Sequence, residues 1–165
     1  MKNKYVKPIV VAEIGCNHMG KIEIAKDLIL QAKEAGSDYA KFQKRNNKEL
    51  LNDEQYNSPH PNPSNSYGDT YGKHREFLEF NLNEHEELKA FCEMNGIGYS
   101  TSVWDLTSAN EIILLNPDFI KVPSAQNTNI KLLNTLILNF KGDIHISFGM
   151  TNTKEINDIY NLFNK

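Results

Sequence analysis

Apolar and polar residues alternate along this chain in two different patterns. Short apolar runs predict five strands, at residues 9–12, 37–43, 97–102, 119–122 and 144–147. Between and after these runs, apolar residues recur every three or four positions, which predicts amphipathic helices. Strict alternation of strand and helix is typical of a parallel sheet covered by helices. The pattern therefore predicts an α/β protein of about five βα units.

Local signals predict where some of these elements begin and end. The first strand has the β-branched, apolar character of a strand covered on both faces. Gly36 predicts the end of the first helix. Asn83 with Glu86 resembles a capping box, and either Asp105 or Thr107 is expected to begin the next helix. Two architectures fit: an open, doubly wound sheet, or five-eighths of a (β/α)8 barrel.

One long polar segment, at about residues 44–71, interrupts this rhythm and contains three of the six prolines. Loops of more than about 15 residues within a compact domain are usually functional or mobile. We therefore expect either a lid or substrate loop, or a disordered insertion. Residues 67–75 mix aromatic and basic side chains, as a sugar or anion contact does, although ordinary surfaces carry such mixtures too.

Composition limits the classes of partner. The 18 basic and 21 acidic residues give a net charge of -3 without a basic stripe, so we expect no nucleic acid and no anionic membrane surface as a partner. We expect no membrane span, and residues 1–5 lead into the first strand without the apolar core of a signal peptide. The spacing of Cys16 and Cys92 favours a reducing compartment. These features predict a soluble, cytoplasmic protein.

The strand ends carry the most informative side chains. Carboxyl ends of parallel strands meet at one edge of a sheet, so these side chains are expected to surround one pocket. The candidates are Glu13, Asn17, His18, Lys41, Gln43, Ser100, Thr101, Ser102, Lys121, Ser124, Gln126 and Ser147. Lys41 and Lys121 are the strongest, because a lysine within an apolar strand loses its hydration unless a negative charge meets it.

The two lysines favour a pocket for a small phosphorylated or carboxylated molecule. Two simpler alternatives stay open for each of them: a lysine that reaches solvent at a strand edge, or one paired with a carboxylate such as Glu13. The five histidines show no metal-ligand spacing, and His145 is expected in the core. A phosphate-binding glycine loop is also missing from the sequence.

The same residues lie within motifs that resemble the sialic acid synthase family. The motifs are Ala-Glu-Ile-Gly-Cys-Asn-His-Met-Gly at 12–20, Lys-Phe-Gln at 41–43, Tyr-Ser-Thr-Ser at 99–102, Ile-Lys-Val-Pro-Ser-Ala at 120–125 and Ile-Ser-Phe-Gly-Met at 146–150. Enzymes of this family condense phosphoenolpyruvate with an N-acetylated amino sugar to give a nonulosonic acid and phosphate. Five motifs in order, at matching strand ends, make the resemblance specific.

The resemblance implies a (β/α)8 TIM barrel that binds phosphoenolpyruvate at its upper rim. The family positions that hold the phosphate and carboxylate correspond to Lys41, Thr101, Lys121, Ser124 and Ser147. Glu13 falls on the first-strand carboxylate, a candidate for handling protons or ordering the reacting carbonyl, and Gln43 would donate a hydrogen bond to the sugar. The family also implies a divalent metal, Mn²⁺ or Mg²⁺, whose histidine ligands lie on later strands, so no metal ligand is expected here.

Departures from the family pattern limit the expected activity. Gln126 stands where many members carry a glutamate, so a carboxylate expected near the sugar is missing, and Phe148 replaces a small hydroxylic residue. The later strands and the C-terminal antifreeze-like domain of the homodimeric family fall outside the match. We therefore expect residues 1–165 to form the amino-terminal part of a synthase, inactive alone. The acceptor is N-acetylmannosamine or a related sugar.

Two alternatives to an active synthase remain. One is a non-catalytic remnant that keeps only the anion-binding half of the site. The other is an aldolase in which Lys41 or Lys121 forms a Schiff base with a keto acid.

Overall fold

The computed structural model describes residues 6–164, which contain a parallel five-stranded sheet and its flanking helices. The strands are β1 (Val11–Gly15), β2 (Tyr39–Lys44), β3 (Gly98–Val103), β4 (Phe119–Val122) and β5 (Asp143–Ile146). The helices are α1 (Ile22–Glu34), α2 (Asn47–Leu50), α3 (Asp53–Asn57), α4 (Tyr71–Phe77), α5 (Leu82–Met94), α6 (Leu106–Leu115), α7 (Ile130–Asn139) and α8 (Thr153–Phe163). Residues 1–5, for which we predicted no signal peptide, lie outside the described residues.

The order of the strands decides between the two predicted architectures. The strands pair in the order β1-β2-β3-β4-β5, and all four pairings are parallel. A doubly wound sheet reverses its strand order at a switch point, whereas a (β/α)8 barrel adds each strand beside the preceding one. The sheet therefore has the topology of five successive units of a (β/α)8 barrel.

The first strand differs from its prediction in both position and burial. It spans Val11–Gly15, whereas we predicted residues 9–12, and Ile9 is 71% exposed. Val11 and Ala12 are only half-buried, so the prediction of a strand covered on both faces is wrong. Within the described residues β1 pairs with β2 alone, and its other edge is open to solvent.

The polar segment at residues 44–71 is ordered, so the alternative of a disordered insertion is wrong. It contains α2, α3 and a 3-10 turn at Pro63–Asn65. The Glu49 carboxylate of α2 accepts hydrogen bonds from the backbone N–H groups of Leu106 (3.0 Å) and Thr107 (3.3 Å). An acidic side chain at the start of a helix satisfies free N–H groups there, so these bonds fasten the segment to α6.

The residue types that cap helices α5 and α6 are those predicted, but the capping box of α5 lies two residues earlier than predicted. Asp105, one of the two candidates, caps α6 by accepting from the backbone N–H of Ser108 at 2.7 Å. The capping box of α5 is formed by Asn81 and Glu84, two residues before the predicted pair. Both asparagines precede a glutamate by three residues, so the sequence alone left the start of this helix ambiguous.

The helices cover one face of the sheet and create two apolar clusters. One cluster packs Ile29 of α1 and Leu88 of α5 against Phe42 of β2. The second packs Leu133 of α7 and other aliphatic side chains against Ile120 of β4. Since the helix-facing side chains form the core, the alternate side chains of each strand lie on the opposite, inner face.

His145 lies on this inner face and is exposed, so its predicted place in the core is wrong. Its ring stacks on Phe119, with the ring centroids 4.4 Å apart. The neighbouring Ile144 and Ile146 turn toward the helices instead. None of the helices within residues 6–164 combines the length and apolar character needed to cross a bilayer.

Candidate active site

Strand register brings the predicted charged side chains to the inner face. Glu13 is paired with Lys41 across β1 and β2, and Lys41 is paired with Ser100 of β3. Ser102 is paired with Lys121 of β4. Paired residues of neighbouring strands point to the same side of a sheet, and residues two apart on one strand do so as well. These side chains therefore face one space.

Lys41 is the most buried charge of this group. Its side chain is 8% exposed, against 49% for Glu13. The Lys41 ammonium donates to Glu13 Oε2, and to Ser102 Oγ at 3.3 Å. Burial lowers the pKa of Lys41 from its ordinary value, and the charge of Lys121 adds to this, while the hydrogen bond and charge of Glu13 act against it. The ion pair between Lys41 and Glu13, which the sequence left open as an alternative to ligand binding, is thus present.

Lys121 supplies a second positive charge to the same space. It is half-buried, and no ion pair or hydrogen bond from its ammonium group to another residue exists within 6–164. Its charge acts on Lys41, and its register partner Ser102 accepts a hydrogen bond from that lysine. Two ammonium groups and one half-exposed carboxylate, that of Glu13, leave a net positive charge, which suits an anionic ligand.

A buried arginine, which our sequence analysis missed, controls the orientation of Gln43. Arg45 Nη2 donates to Gln43 Oε1, and Arg45 Nη1 lies 3.3 Å from Glu79 Oε1. The guanidinium also lies over the ring of Trp104, 4.1 Å from its centroid. Arg45 and Trp104 each follow an inner-face residue, Gln43 and Ser102, by two positions, and that spacing was the available signal.

Gly15 allows Gln43 to approach β1. It interrupts the β1–β2 register with a bulge and has a φ of +58°. A Cβ at this position would lie 3.3 Å from Gln43 Nε2, and side chains other than glycine disfavour this backbone conformation.

Thr101 does not reach the pocket. Its register partners are Phe42 and Ile120, which both belong to the apolar clusters beneath the helices. Thr101 is fully buried on that helix-facing side. Since side chains alternate along a strand, its neighbours Ser100 and Ser102 take the inner face instead. The structure therefore puts Ser102, rather than Thr101, beside the lysines.

The predicted residues after β4 and β5 lie together at the rim. Ser124 Oγ accepts a hydrogen bond from the backbone N–H of Gly149 at 3.1 Å. The buried amide of Asn127, which the sequence did not single out, donates to the carbonyl oxygen of Ser147 at 2.8 Å. These bonds hold the ends of the two strands side by side. Gln126 lies further along the rim and lines a separate cavity with Arg45 and Trp104.

The residues present do not fit the divalent metal that the resemblance implies. Across 6–164, no three His, Cys, Asp or Glu side chains are grouped closely enough to hold an ion. His18 is buried against Phe80 with ring centroids 4.0 Å apart, and its Nδ1 accepts from the backbone N–H of Gly20 at 3.1 Å. We therefore assign no chemical step of these residues to a metal.

Comparison with known proteins is consistent with this geometry. The model of the NeuB family matches residues 28–165. The chain belongs to the NeuB family. The predicted membership in the sialic acid synthase group is therefore confirmed.

Relatives of this NeuB chain include several synthases. It is 33% identical over 153 residues to the mouse N-acetylneuraminate-9-phosphate synthase, covering 93% of this chain and 42% of the relative. The corresponding Drosophila melanogaster protein is 35% identical, with 91% and 40% covered. The N,N'-diacetyllegionaminic acid synthase of Campylobacter jejuni is 30% identical, with 96% and 47% covered. The chain thus spans less than half the length of each of these relatives.

Solved structures share the fold. The N-acetylneuraminic acid synthetase of Leptospira borgpetersenii superposes with a TM-score of 0.78 at 22% identity, covering 99% of this chain and 54% of that protein. A spore coat polysaccharide biosynthesis protein of Bacillus subtilis gives a TM-score of 0.71 at 22% identity, covering 98% and 41%. The predicted TIM-barrel architecture, represented here by five βα units, is confirmed.

Proposed function

We propose that this NeuB chain forms the phosphoenolpyruvate-binding part of a synthase. The synthase condenses phosphoenolpyruvate with N-acetylmannosamine or a related N-acetylated amino sugar and releases a nonulosonic acid and phosphate. The names of the relatives, which include sialic acid 9-phosphate and legionaminic acid synthases, support this class of reaction. We further propose that residues 1–165 correspond to the amino-terminal part of the synthase barrel, in a cytoplasmic homodimer with an antifreeze-like domain.

The observation that carries this proposal is the pair of lysines on one inner face. Lys41 and Lys121 flank Ser102, whose Oγ lies 3.3 Å from Lys41 Nζ. Phosphoenolpyruvate carries a phosphate ester and a carboxylate on the same carbon atom. Two ammonium groups, on strands β2 and β4 either side of β3, match two anionic groups of one small molecule. Because Glu13 is half-exposed, Lys41 can exchange its contact with this carboxylate for a contact with an anionic ligand.

The proposed reaction redistributes negative charge on phosphoenolpyruvate while it is bound between Lys41 and Lys121. The terminal enol carbon of phosphoenolpyruvate attacks the aldehyde carbon of the open-chain sugar and forms the new C–C bond. The aldehyde oxygen takes up a proton and becomes a hydroxyl group. Water then adds to the cationic carbon that bears the phosphate and gives up its protons, and the bond between this carbon and the phosphate ester oxygen breaks, which releases inorganic phosphate and leaves a ketone. Lys41 and Lys121 hold the negative charge in place throughout, and fixed donors of this kind need little reorganisation.

Glu13 and Gln43 are proposed to handle the acceptor sugar. Both lie at the carboxyl ends of the first two strands, and Gln43 Nε2 is 3.5 Å from Glu13 Oε1. The Glu13 carboxylate is positioned to order the aldehyde or take up a proton, and the Gln43 amide to donate to a sugar oxygen. Ser124, Gln126 and Ser147 are proposed as further substrate contacts at the rim. The position of Thr101 beneath the helices removes the support for its predicted contact.

Titration calorimetry of the chain with phosphoenolpyruvate tests the proposal. We expect Lys121→Met to weaken binding at least tenfold, because one charge-assisted contact is lost. Lys131→Met, which removes an exposed charge on α7, serves as the matched control and should leave affinity unchanged. Equal binding by both variants would contradict the proposal.

A further inference from the structure

A histidine ends the row of inner-face residues that contains Lys121. Strand register aligns Gln43, Ser102, Lys121 and His145 across β2, β3, β4 and β5. Paired residues of neighbouring strands point to the same side of a sheet. His145 is therefore the neighbour of Lys121 on the side away from Ser102, and it faces the same space as the two lysines of the proposed phosphoenolpyruvate site.

The imidazole ring of His145 is held by its face and not by its nitrogen atoms. It stacks on the ring of Phe119, with the centroids 4.4 Å apart and the ring planes at 17° to each other. Phe119 is itself buried, and its ring packs edge-on against that of Tyr39 at 5.1 Å. Among the residues that the structure describes, no hydrogen bond or ion pair is formed by either nitrogen of His145, which is exposed. Both nitrogen atoms are thus available to a ligand.

Two charged residues share the inner face with this ring on the strands around it. Lys121 is its register partner on β4, and the exposed Asp143 precedes it by two positions on β5. Asp143 and His145 form no ion pair within the described range 6–164, and Asp118 contacts Tyr39 instead. A protonated imidazole beside the Lys121 ammonium is repelled unless an anion lies between them. An anionic ligand therefore favours both positive charges together.

The two lysines differ in how far their charge is already compensated. The Lys41 ammonium forms an ion pair with Glu13, whereas Lys121 has no such partner within residues 6–164. His145 adds donors on the β5 side of Lys121, away from Lys41. A phosphate monoester carries more negative charge than a carboxylate at neutral pH. The phosphate of phosphoenolpyruvate therefore matches the end of the site formed by Lys121 and His145.

We propose that His145 is a further binding residue for phosphoenolpyruvate, and that its imidazole donates a hydrogen bond to the phosphate group beside Lys121. The inference rests on the proposed function, since it takes phosphoenolpyruvate as the anion between the lysines. Histidine is the side chain that changes its charge between about pH 8 and pH 5, so the contact becomes charge-assisted as the pH falls. At higher pH a neutral imidazole still donates, but more weakly.

Binding of phosphoenolpyruvate at two pH values tests this inference. His145→Phe keeps a ring that can stack on Phe119 and removes both nitrogen atoms. We expect this variant to bind at least tenfold more weakly than the parent chain at about pH 6, and about threefold more weakly at about pH 8. Calorimetric titrations compare parent and variant at the same pH, so the ionisation of the ligand cancels. No loss at pH 6, or a loss of the same size at both pH values, would overturn the inference.

Two further variants separate the contact from general effects. His60→Phe is the matched control, because His60 lies on the polar segment between α3 and α4 and not on the sheet. It should bind as the parent chain does at both pH values. His145→Gln keeps an amide donor without the charge, so it should bind within about threefold of the parent at pH 8 and lose the additional affinity at pH 6. Both His145 variants should melt at the temperature of the parent, since the ring is exposed.

Inorganic phosphate is the second ligand, and it separates this inference from the proposed function. If Lys121→Met weakens phosphoenolpyruvate binding and His145→Phe does not, the proposed function stands and the inference fails. If the chain binds inorganic phosphate with the expected dependence on His145 and does not bind phosphoenolpyruvate, the proposed function fails and the phosphate contact stands. A loss of affinity for phosphoenolpyruvate alone would place His145 at the carboxylate and overturn the inference.

Discussion

Arg45 holds the side-chain amide of Gln43 in one orientation, through a hydrogen bond from Nη2 to Oε1. The amide nitrogen of Gln43 consequently faces Glu13 Oε1, 3.5 Å away. A buried ion pair with Glu79 and the ring of Trp104 keep the arginine in place. A series of polar contacts thus runs from Glu79 through Arg45 and Gln43 to the carboxylate of Glu13, which accepts a hydrogen bond from Lys41.

Arg45→Met is expected to destabilise the fold by about 3 to 5 kcal/mol, because it leaves the Glu79 carboxylate buried without its main partner. The double variant Arg45→Met/Glu79→Gln should recover part of this loss, since the uncompensated charge is gone. Urea denaturation of these two variants, of the single variant Glu79→Gln and of the parent chain measures both quantities. Additive effects of the two substitutions would show that the pair is not coupled.

The affinity for phosphoenolpyruvate should fall with rising pH at a point below the ordinary lysine pKa of 10.5, because burial lowers the pKa of Lys41. Loss of the proton removes a charge that the anion needs. Lys41→Arg should move this loss beyond the accessible range, since a guanidinium stays protonated. Calorimetric titrations between pH 7 and about pH 10 provide the check. An identical pH profile in the arginine variant would exclude Lys41 as the titrating group.

Borohydride reduction in the presence of a keto acid should produce no covalent adduct. The Lys41 nitrogen is held in an ion pair with the Glu13 carboxylate, which favours its protonated form, and a protonated amine has no lone pair for attack on a carbonyl. Intact-protein mass spectrometry after reduction is the measurement. An adduct that disappears in Lys41→Met or Lys121→Met would support the Schiff-base aldolase instead.

Acidification should destabilise the fold through two buried histidines. Burial lowers the pKa of His85 to about 3 and that of His18 to about 4. Between pH 6.5 and these values the unfolded chain binds protons that the folded chain excludes, so stability is present above pH 6.5 and is lost below it. Each histidine contributes a slope of about 1.4 kcal/mol per pH unit in that window.

His85→Gln should reduce this slope, while His145→Gln, at an exposed ring, should not. Denaturant titrations at several pH values between 4.5 and 7 give the slopes. An unchanged slope in His85→Gln would contradict the assignment.

The chain should self-associate through its β5 edge. Within residues 6–164, β5 pairs on one side only, and an apolar groove of Ile144, Ile146, Phe148, Ile156, Ile159, Tyr160 and Phe163 lies beside it. Unpaired strand edges and contiguous apolar surface favour association. Tyr160→Glu should reduce the mass measured by light scattering. Leu138→Glu is the control, because Leu138 is an exposed apolar residue on α7 outside this groove, and it should leave the mass unchanged. A clean monomer of the parent chain with a cooperative melt would contradict this prediction.

The sequence by itself determined the succession of βα units and the two lysines at strand ends. Apolar periodicity is a local property, and a lysine within a short apolar strand is conspicuous wherever the strand packs. The family resemblance pointed to Thr101, one residue from the inner-face serines, and an advance of one position along a strand moves a side chain to the other face. The motif alone did not say which of the three hydroxyl residues would face inward.

Only the tertiary structure decided the barrel order of the strands and the surroundings of Gln43. Strand order depends on which edges pair, and both candidate architectures share the same alternating pattern. Arg45, Glu79 and Trp104 are separated by up to 59 positions in the sequence, so only the folded chain brings them together. They meet because α4 and the ends of β2 and β3 converge at one rim, which is a property of the folded chain and not of any local pattern.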